Sequence, residues 1–228
     1  AELHCAAGHW FAGQGLVDEA IRHLLAGGDS AAAAEVVAGQ FQSVLNREDW
    51  PQLERWLALL PESVVMNHPV LLLARAWCDQ FHFALASVPP LLARLDALLP
   101  MLDPATAAEL AARAAPLRAF ILVLRSDPAA ALVQTEISLT QTPDEDRYIR
   151  SMAVYFHALM LQMVGRGEEA EAWLIDLLRA ARGRVDAFSV RLQFALNSNY
   201  RAGGDLETLR ATASRMLADA QAGQLSLG

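Results

Sequence analysis

The chain has 228 residues and a net charge of −8, and 54% of its residues are hydrophobic. This composition excludes a disordered polypeptide, and the excess of negative charge disfavours contact with a nucleic-acid backbone. All 18 basic residues are arginines, which excludes, within these residues, a phosphate-binding loop of the GxxxxGK type and a Schiff-base lysine.

Several features predict a soluble, cytoplasmic protein that does not associate with membranes. The longest uncharged apolar run, 151–165, is shorter than the about 18 residues that a membrane-spanning helix needs. The first residues lack the basic and then apolar pattern of a secretory signal. Cys5 and Cys78 follow no disulfide spacing, so we expect two reduced thiols in the core.

Apolar residues recur with a helical period along the chain, and no segment shows the alternation typical of a strand. The pattern predicts six pairs of helices. Their first members are expected at 2–13, 30–45, 68–81, 104–125, 144–164 and 184–202. Their partners are expected at 16–27, 50–60, 87–99, 128–141, 167–182 and 205–222. Helix caps are predicted at Asp29-Ser30, Asp103-Pro104 and Asp127-Pro128.

A short turn recurs between the two helices of a pair. FAGQGLVDEA, LRSDPAAA, MVGRGEEA and RAGGDLETL each lead to a small or apolar residue, at Ala20, Ala131, Ala170 and Leu209, and the last three are 39 residues apart. Two more turns are expected within 46–53 and 80–88, the second without a glycine. Hairpins repeated every about 34 to 40 residues have to stack to bury their apolar faces. We therefore expect an all-α, superhelical stack of about six antiparallel helix pairs, a tetratricopeptide-like α-solenoid, as a single domain over residues 1–228.

A distinctive set of residues occurs in the segment 3–37: Leu3, His4, Trp10, Phe11, Gln14, Gly15, Glu19, Ala20, Ile21, His23, Gly28 and Asp29. The segment 3–37 is similar to the start of the sensor domain in MalT-type regulators, the ATP-dependent branch of the LuxR family within the signal-transduction ATPases with numerous domains. The segment 53–78, LERWLALLPESVVMNHPVLLLARAWC, continues the likeness. The residues named above for the first segment are those of the family pattern that the chain keeps.

The resemblance implies the effector-sensing domain of a bacterial transcriptional activator. In such regulators a small-molecule inducer or a regulatory protein contacts the superhelix and shifts the ATPase module between an ADP-bound monomer and an ATP-bound oligomer. The implied partners are that effector and the ATPase and helix-turn-helix modules of the parent protein, both absent from this sequence. We expect no direct contact with nucleic acid. The alternative is a protein-interaction scaffold without a small-molecule ligand.

Counting back from the turns places ten side chains on the concave surface of such a stack. Aromatic faces there would stack on a planar or sugar-like ligand, and arginines would bind a carboxylate or phosphate. The alternative is that the phenylalanines and the tryptophan are core residues between pairs. The ten residues are Trp77, Gln80, Arg113, Phe120, Tyr155, Gln162, Arg191, Phe194, Ser198 and Arg201.

The sequence predicts neither an enzyme nor a cofactor or metal site. His4 and His9 are five residues apart and diverge on a helix, so they do not form a metal site with Cys5. The acidic stretches GRGEEAE and TPDEDR lie at helix starts, where the helix dipole explains them as solvated caps. Four further histidines are scattered singly among apolar residues and are expected to be hydrogen-bonded or half-exposed side chains: His23, His68, His82 and His157.

The densest basic group lies near the start of the sixth pair. It is expected to contact an anionic effector or the ATPase module; alternatively, the preference of helix C-termini for cations explains its first two members. Its members are Arg179, Arg182, Arg184 and Arg191.

Overall fold

The computed structural model describes residues 1–181 and 186–222. Within those ranges the chain forms thirteen α-helices and one 3-10 turn, and no β-strand. The helices are α1 (Glu2–Gly13), α2 (Val17–Gly27), α3 (Ser30–Arg47), α4 (Trp50–Leu59), α5 (Glu62–Val65), α6 (Pro69–Phe81), α7 (Val88–Leu98), α8 (Pro104–Leu124), α9 (Pro128–Gln141), α10 (Arg147–Met163), α11 (Gly167–Ala180), α12 (Ala187–Gly203) and α13 (Leu206–Ala222).

The all-helical class expected from the sequence is confirmed. Each of the twelve predicted helices is present, with ends no more than three residues from the predicted ones. The sequence did not predict α5 or the 3-10 turn Leu99–Met101. Both are single turns, and a segment of three or four residues is too short to show a helical period.

The chain divides into two compact units, Ala1–Leu117 (unit 1) and Arg118–Gly228 (unit 2). In unit 1, consecutive helices pack together from α1 to α4, and α6 packs against α3, α4 and α7. The core of this unit includes Phe41, Leu72 and Trp77, none more than 2% exposed. The indole of Trp56 donates a hydrogen bond of 3.1 Å to Asp18, which connects α4 with α2.

Helix α10 is central to unit 2. It packs against α9, α11 and α12, and α12 also packs against α11 and α13. Small residues occupy places where helices are close together: Ala131 and Ala170, at the start of α9 and α11, are 0% exposed. Ala20 in unit 1 is also 0% exposed. This burial is what the sequence predicted for the small residue after each turn.

One backbone motif ends the first helix of every pair. A residue with positive φ follows the helix, and the N–H of the next residue donates to the carbonyl five residues earlier at 2.7 to 3.2 Å. This is the Schellman arrangement, which satisfies carbonyls that the helix end leaves without partners. The positive-φ residues are Gly15, Glu48, Phe83, Ser126, Gly165 and Gly204.

The recurrent turn is therefore a property of the backbone, and three of its six copies lack glycine. At five of them the positive-φ residue is followed at once by the N-cap of the partner helix. The exception is Phe83, which is separated from the N-cap Ser87 by three residues. All three predicted caps act as expected, because Asp29 accepts from Ala32 N at 2.9 Å, Asp103 from Thr106 N at 3.0 Å and Asp127 from Ala130 N at 3.0 Å.

Candidate ligand-binding face on helices α8, α10 and α12

The ten residues predicted to bind a ligand are distributed over both units. Trp77, Gln80 and Arg113 belong to unit 1, and the other seven belong to unit 2. Trp77 is 0% exposed and therefore has the position of a core side chain. Gln80 is 8% exposed, and its Oε1 has no hydrogen-bond partner among the described residues. Arg113 forms an ion pair of 2.7 Å with Glu109, one turn earlier on α8.

Four aromatic rings of unit 2 form a continuous row, which we call the aromatic ladder: Phe120 on α8, Phe156 and Tyr155 on α10, and Phe194 on α12. The ring centroids are 5.2, 5.4 and 5.5 Å apart along this order. These distances are typical of attractive aromatic pairs. The ladder thus joins three of the predicted residues with Phe156, which the sequence analysis did not select.

The rings of the ladder differ in their exposure to solvent. Phe156 is 2% exposed, whereas Phe194 is 48% exposed. Burial raises the pKa of Tyr155, and a side-chain hydrogen bond to Ser198 and the charge of Arg201 partly offset this effect. The Ser198 hydroxyl donates to the Phe194 carbonyl at 3.0 Å. One end of the ladder is therefore an aromatic surface open to solvent and edged by polar groups.

The predicted arginines do not converge on the ladder as a clamp for an anion. Arg191 donates to the Ser151 hydroxyl at 2.6 Å, and its guanidinium lies 4.9 Å from the centre of the Tyr148 ring. That guanidinium is therefore engaged with the protein. Arg201 is exposed on α12, and its positive charge acts to lower the pKa of Tyr155.

Gln162 lies at the boundary between the ladder and a larger cavity. A small space of about 10 Å³, the size of a single water, is lined by Tyr155, Gln162, Ser198 and Asn199 among others. Gln162 also lines a cavity of about 570 Å³, which we call the acidic cavity. The full lining of the acidic cavity is Gln162, Gly165, Arg166, Gly167, Glu168, Glu169, Glu171, Asn199, Tyr200, Gly203 and Asp205.

Sequence reasoning missed the acidic cavity. Glu168 and Glu169 do lie in the first turn of α11, as the interpretation of GRGEEAE as a helix start requires. The same residues also line the cavity, together with side chains from the end of α12. A signal was available in the sequence, because a glycine-rich turn follows both α10 and α12 and polar residues precede each turn.

A further cavity of about 490 Å³ lies against α9, α10 and α11 and includes His157, Glu136 and Trp173 in its lining. The Thr135 hydroxyl donates to the Leu132 carbonyl at 2.8 Å and lies 2.8 Å from His157 Nδ1. Burial lowers the pKa of His157, so the ring is neutral near pH 7.

Other histidines lie close to polar side chains, in agreement with the expectation that they are hydrogen-bonded or half-exposed. The Nδ1 atoms of His4 and His23 are 3.2 Å apart. His68 lies 3.3 Å from Glu35, and His82 contacts Glu54. No group of three or more metal-binding side chains occurs in residues 1–181 and 186–222.

Two remaining observations concern the basic group and membrane association. Arg179 pairs with Asp176 at 3.1 Å, whereas Arg182 and Arg184 lie outside the described residues. No helix in the described part of the chain has the length and apolar character to cross a bilayer.

Comparison with known proteins identifies distant relatives. Over 166 residues, or 72% of the chain, the sequence is 30% identical to the HTH-type transcriptional regulator MalT of Klebsiella pneumoniae subsp. pneumoniae, and 29% identical to MalT of Klebsiella pneumoniae strain 342. The matched residues make up 18% of each regulator, so the chain spans less than a fifth of the length of these relatives. No family model and no solved structure matches. The similarity supports a distant relationship to a multidomain transcriptional regulator.

Proposed function

We propose that this chain is the effector-sensing region of a larger, ATP-dependent transcriptional activator of the LuxR family. In this proposal the helix pairs of residues 1–228 stack into one tetratricopeptide-like superhelix. An effector binds the superhelix and shifts the activation state of an ATPase module elsewhere in the parent protein. The chain itself is cytoplasmic, neither hydrolyses ATP nor binds DNA, and has no cofactor.

The observation that carries the proposal is the 30% identity to MalT over 72% of the chain. The recurrent Schellman turns, three of them 39 residues apart at Ser126, Gly165 and Gly204, support a repeat architecture. The same turn thus joins the two helices of each pair, as expected for repeated hairpins.

The aromatic ladder is the proposed effector surface. The ring of Phe194 is 48% exposed, and Tyr155 and Ser198 provide hydroxyls beside it. A planar or sugar-like molecule can stack on such a ring and hydrogen-bond to its polar edge. An effector acts on the parent protein only by its different affinity for the two activation states.

A thermal-shift screen of the 228-residue chain against metabolites tests this proposal. A ligand at about 100 times its Kd stabilises the folded chain by about 2.7 kcal/mol. We expect Phe194→Ala to weaken binding of such a ligand about threefold to tenfold, the value of one aromatic contact. The control is Phe83→Ala in unit 1, which truncates a ring that is 76% exposed and should leave the affinity unchanged.

A protein-interaction scaffold is the second candidate. The open character of the ladder favours it, because the enclosed space beside Tyr155 and Ser198 measures only about 10 Å³. A screen in which no compound raises the melting temperature, while a partner protein binds and Phe194→Ala weakens that binding, would establish the scaffold and contradict the small-molecule sensor.

A further inference from the structure

We propose that His4 on α1 and His23 on α2, which we call the histidine pair, together bind one Zn²⁺ ion. The Nδ1 atoms of the two rings are 3.2 Å apart, and His4 is exposed while His23 is partly exposed. Imidazole nitrogen is a preferred ligand of zinc and of the neighbouring transition metals. The inference goes beyond the proposed sensor function and does not depend on it.

The two rings have the separation of a metal chelate. Two imidazoles bound to one tetrahedral zinc ion, with bonds of about 2.0 to 2.1 Å, have their ligand nitrogens about 3.3 Å and their ring centroids about 5.2 Å apart. In the histidine pair the corresponding distances are 3.2 Å and 5.1 Å. An ion can therefore bind between the rings with little movement of either helix. Each neutral ring then carries its proton on Nε2.

Close packing of α1 on α2 holds the histidine pair in place. A Cβ at Gly8 would lie 2.6 Å from the side chain of Leu24, and a Cβ at Gly27 would lie 2.4 Å from Cys5 Sγ, so glycine at both places allows the helices to come this close. The centroid of the Phe11 ring lies 5.1 Å from that of the α2 imidazole, which restricts the rotation of the imidazole. Ligands that are positioned before binding lose less entropy when the ion binds.

Two protein ligands define a site for an exchangeable ion. The described residues contain no group of three or more His, Cys, Asp or Glu side chains placed to hold a metal, and the Cys5 thiol is directed at the Gly27 carbonyl, 3.7 Å away. Water or an external ligand therefore completes the coordination. Structural zinc sites have four protein ligands, so an ion held by two is bound more weakly. The ion is a reversible ligand of the chain and not a resident cofactor.

Isothermal titration of the untagged 228-residue chain with ZnCl₂ at pH 7.5, in a buffer that does not bind metals, tests the proposal. MgCl₂ is the matched control, because Mg²⁺ has the same charge and responds equally to the net charge of −8 but prefers oxygen ligands. We expect one bound Zn²⁺ per chain, with an affinity at least tenfold higher than that for Mg²⁺. Absence of Zn²⁺ binding, or equal affinity for the two ions, would overturn the proposal.

Single variants separate the histidine pair from a neighbouring histidine. His4→Gln and His23→Gln each remove one ligand and should weaken Zn²⁺ binding about tenfold or more, because a single imidazole cannot chelate the ion. His9 lies on the same helix as His4 and is exposed, but it does not belong to the pair. His9→Gln should therefore leave the affinity unchanged. Equal weakening by His9→Gln and His4→Gln would show that the ion does not bind at the pair.

A double variant tests whether the two rings hold the same ion. If they do, His4→Gln combined with His23→Gln weakens Zn²⁺ binding little more than either change alone, because each single variant has already lost the chelate. A stoichiometry of two ions in the native chain and one in each single variant would contradict the proposal. Circular dichroism melting checks that each variant is folded. If His23→Gln is not, His4→Gln decides, because His4 is exposed.

A thiol variant excludes the other zinc ligand near the pair. Cys5 follows His4 directly and is half-buried, and thiolate sulfur also binds zinc. We expect Cys5→Ser to retain Zn²⁺ binding within about twofold of the native chain, because its thiol is not a ligand in the proposed site. Loss of binding in folded Cys5→Ser would assign the ion to the thiol and overturn the proposal.

Discussion

The two thiols of the chain have different environments. Cys78 on α6 is 2% exposed, and burial raises its pKa to about 12, with the negative charges of Glu54 and Asp79 acting in the same direction. Cys5 is half-buried, and its Sγ donates a long hydrogen bond of 3.7 Å to the Gly27 carbonyl. Only the thiolate form reacts with thiol reagents, so these environments predict unequal reactivity.

We expect a colorimetric thiol reagent at pH 8 to modify one cysteine of the native chain, and both after denaturation in guanidinium chloride. The fast thiol is Cys5, because burial keeps Cys78 protonated and shielded. Cys5→Ser should therefore remove the fast phase and leave the slow one. Two thiols that react at the same rate in the native chain would contradict the burial of Cys78.

At the scale of a helix and its turn, the backbone conformation determines which substitutions stabilise the fold. Ser126 ends the first helix of the fourth pair with φ of 61°, and Gly204 has the equivalent place after α12 with φ of 80°. A non-glycine residue in this left-handed region costs about 1 to 2 kcal/mol. Glycine avoids that cost, although it has more backbone entropy to lose on folding, by about 0.5 to 1 kcal/mol.

We expect Ser126→Gly to raise the free energy of unfolding by up to about 1 kcal/mol, and Gly204→Ala to lower it by about 1 kcal/mol. A Cβ at Gly204 would have no neighbour within 4 Å, so the second effect comes from the backbone alone. Urea unfolding followed by circular dichroism measures both. A shift of the same sign in the two variants would show that φ does not control stability at these turns.

The same turns show which structural features can be predicted from the sequence and which cannot. Asp29 and Asp127 were predicted as caps because a carboxylate before a helix start accepts hydrogen bonds from the free N–H groups of the first turn. The bend at Phe83 had no such local signal, since phenylalanine has no preference for the left-handed conformation that it adopts there, with φ of 56°.

At the scale of the whole molecule, charge predicts how the chain meets other macromolecules. The net charge is −8, and a protein binds a duplex mainly by neutralising phosphates. We expect an electrophoretic mobility assay to show no binding of this chain to a 30-base-pair duplex at 150 mM salt. Retardation that disappears at higher salt would contradict this expectation and would indicate a basic surface formed by folding.

The candidate sites were harder to predict than the helices, because they depend on which face of a helix meets its neighbour. The periodicity that selected Trp77 is the same for an inner surface and for a core, and Trp77 is 0% exposed. The pairing of Tyr155 with Phe194 could be predicted from the sequence, because the two residues have equivalent positions in consecutive repeats of 39 residues. The acidic cavity combines segments about 30 residues apart, and its glutamates already had a sufficient local explanation at the start of α11.

The absence of spare residues in the turns constrains how the length of the chain can change during evolution. At the turn from α10 to α11, Gly165 is followed directly by the N-cap Arg166. One inserted residue there would rotate the following helix by about 100° and turn Ala170 away from α10. The three residues between Phe83 and Ser87 can absorb such an insertion. Homologues are therefore expected to differ in length at the turn from α6 to α7 and to keep the others constant.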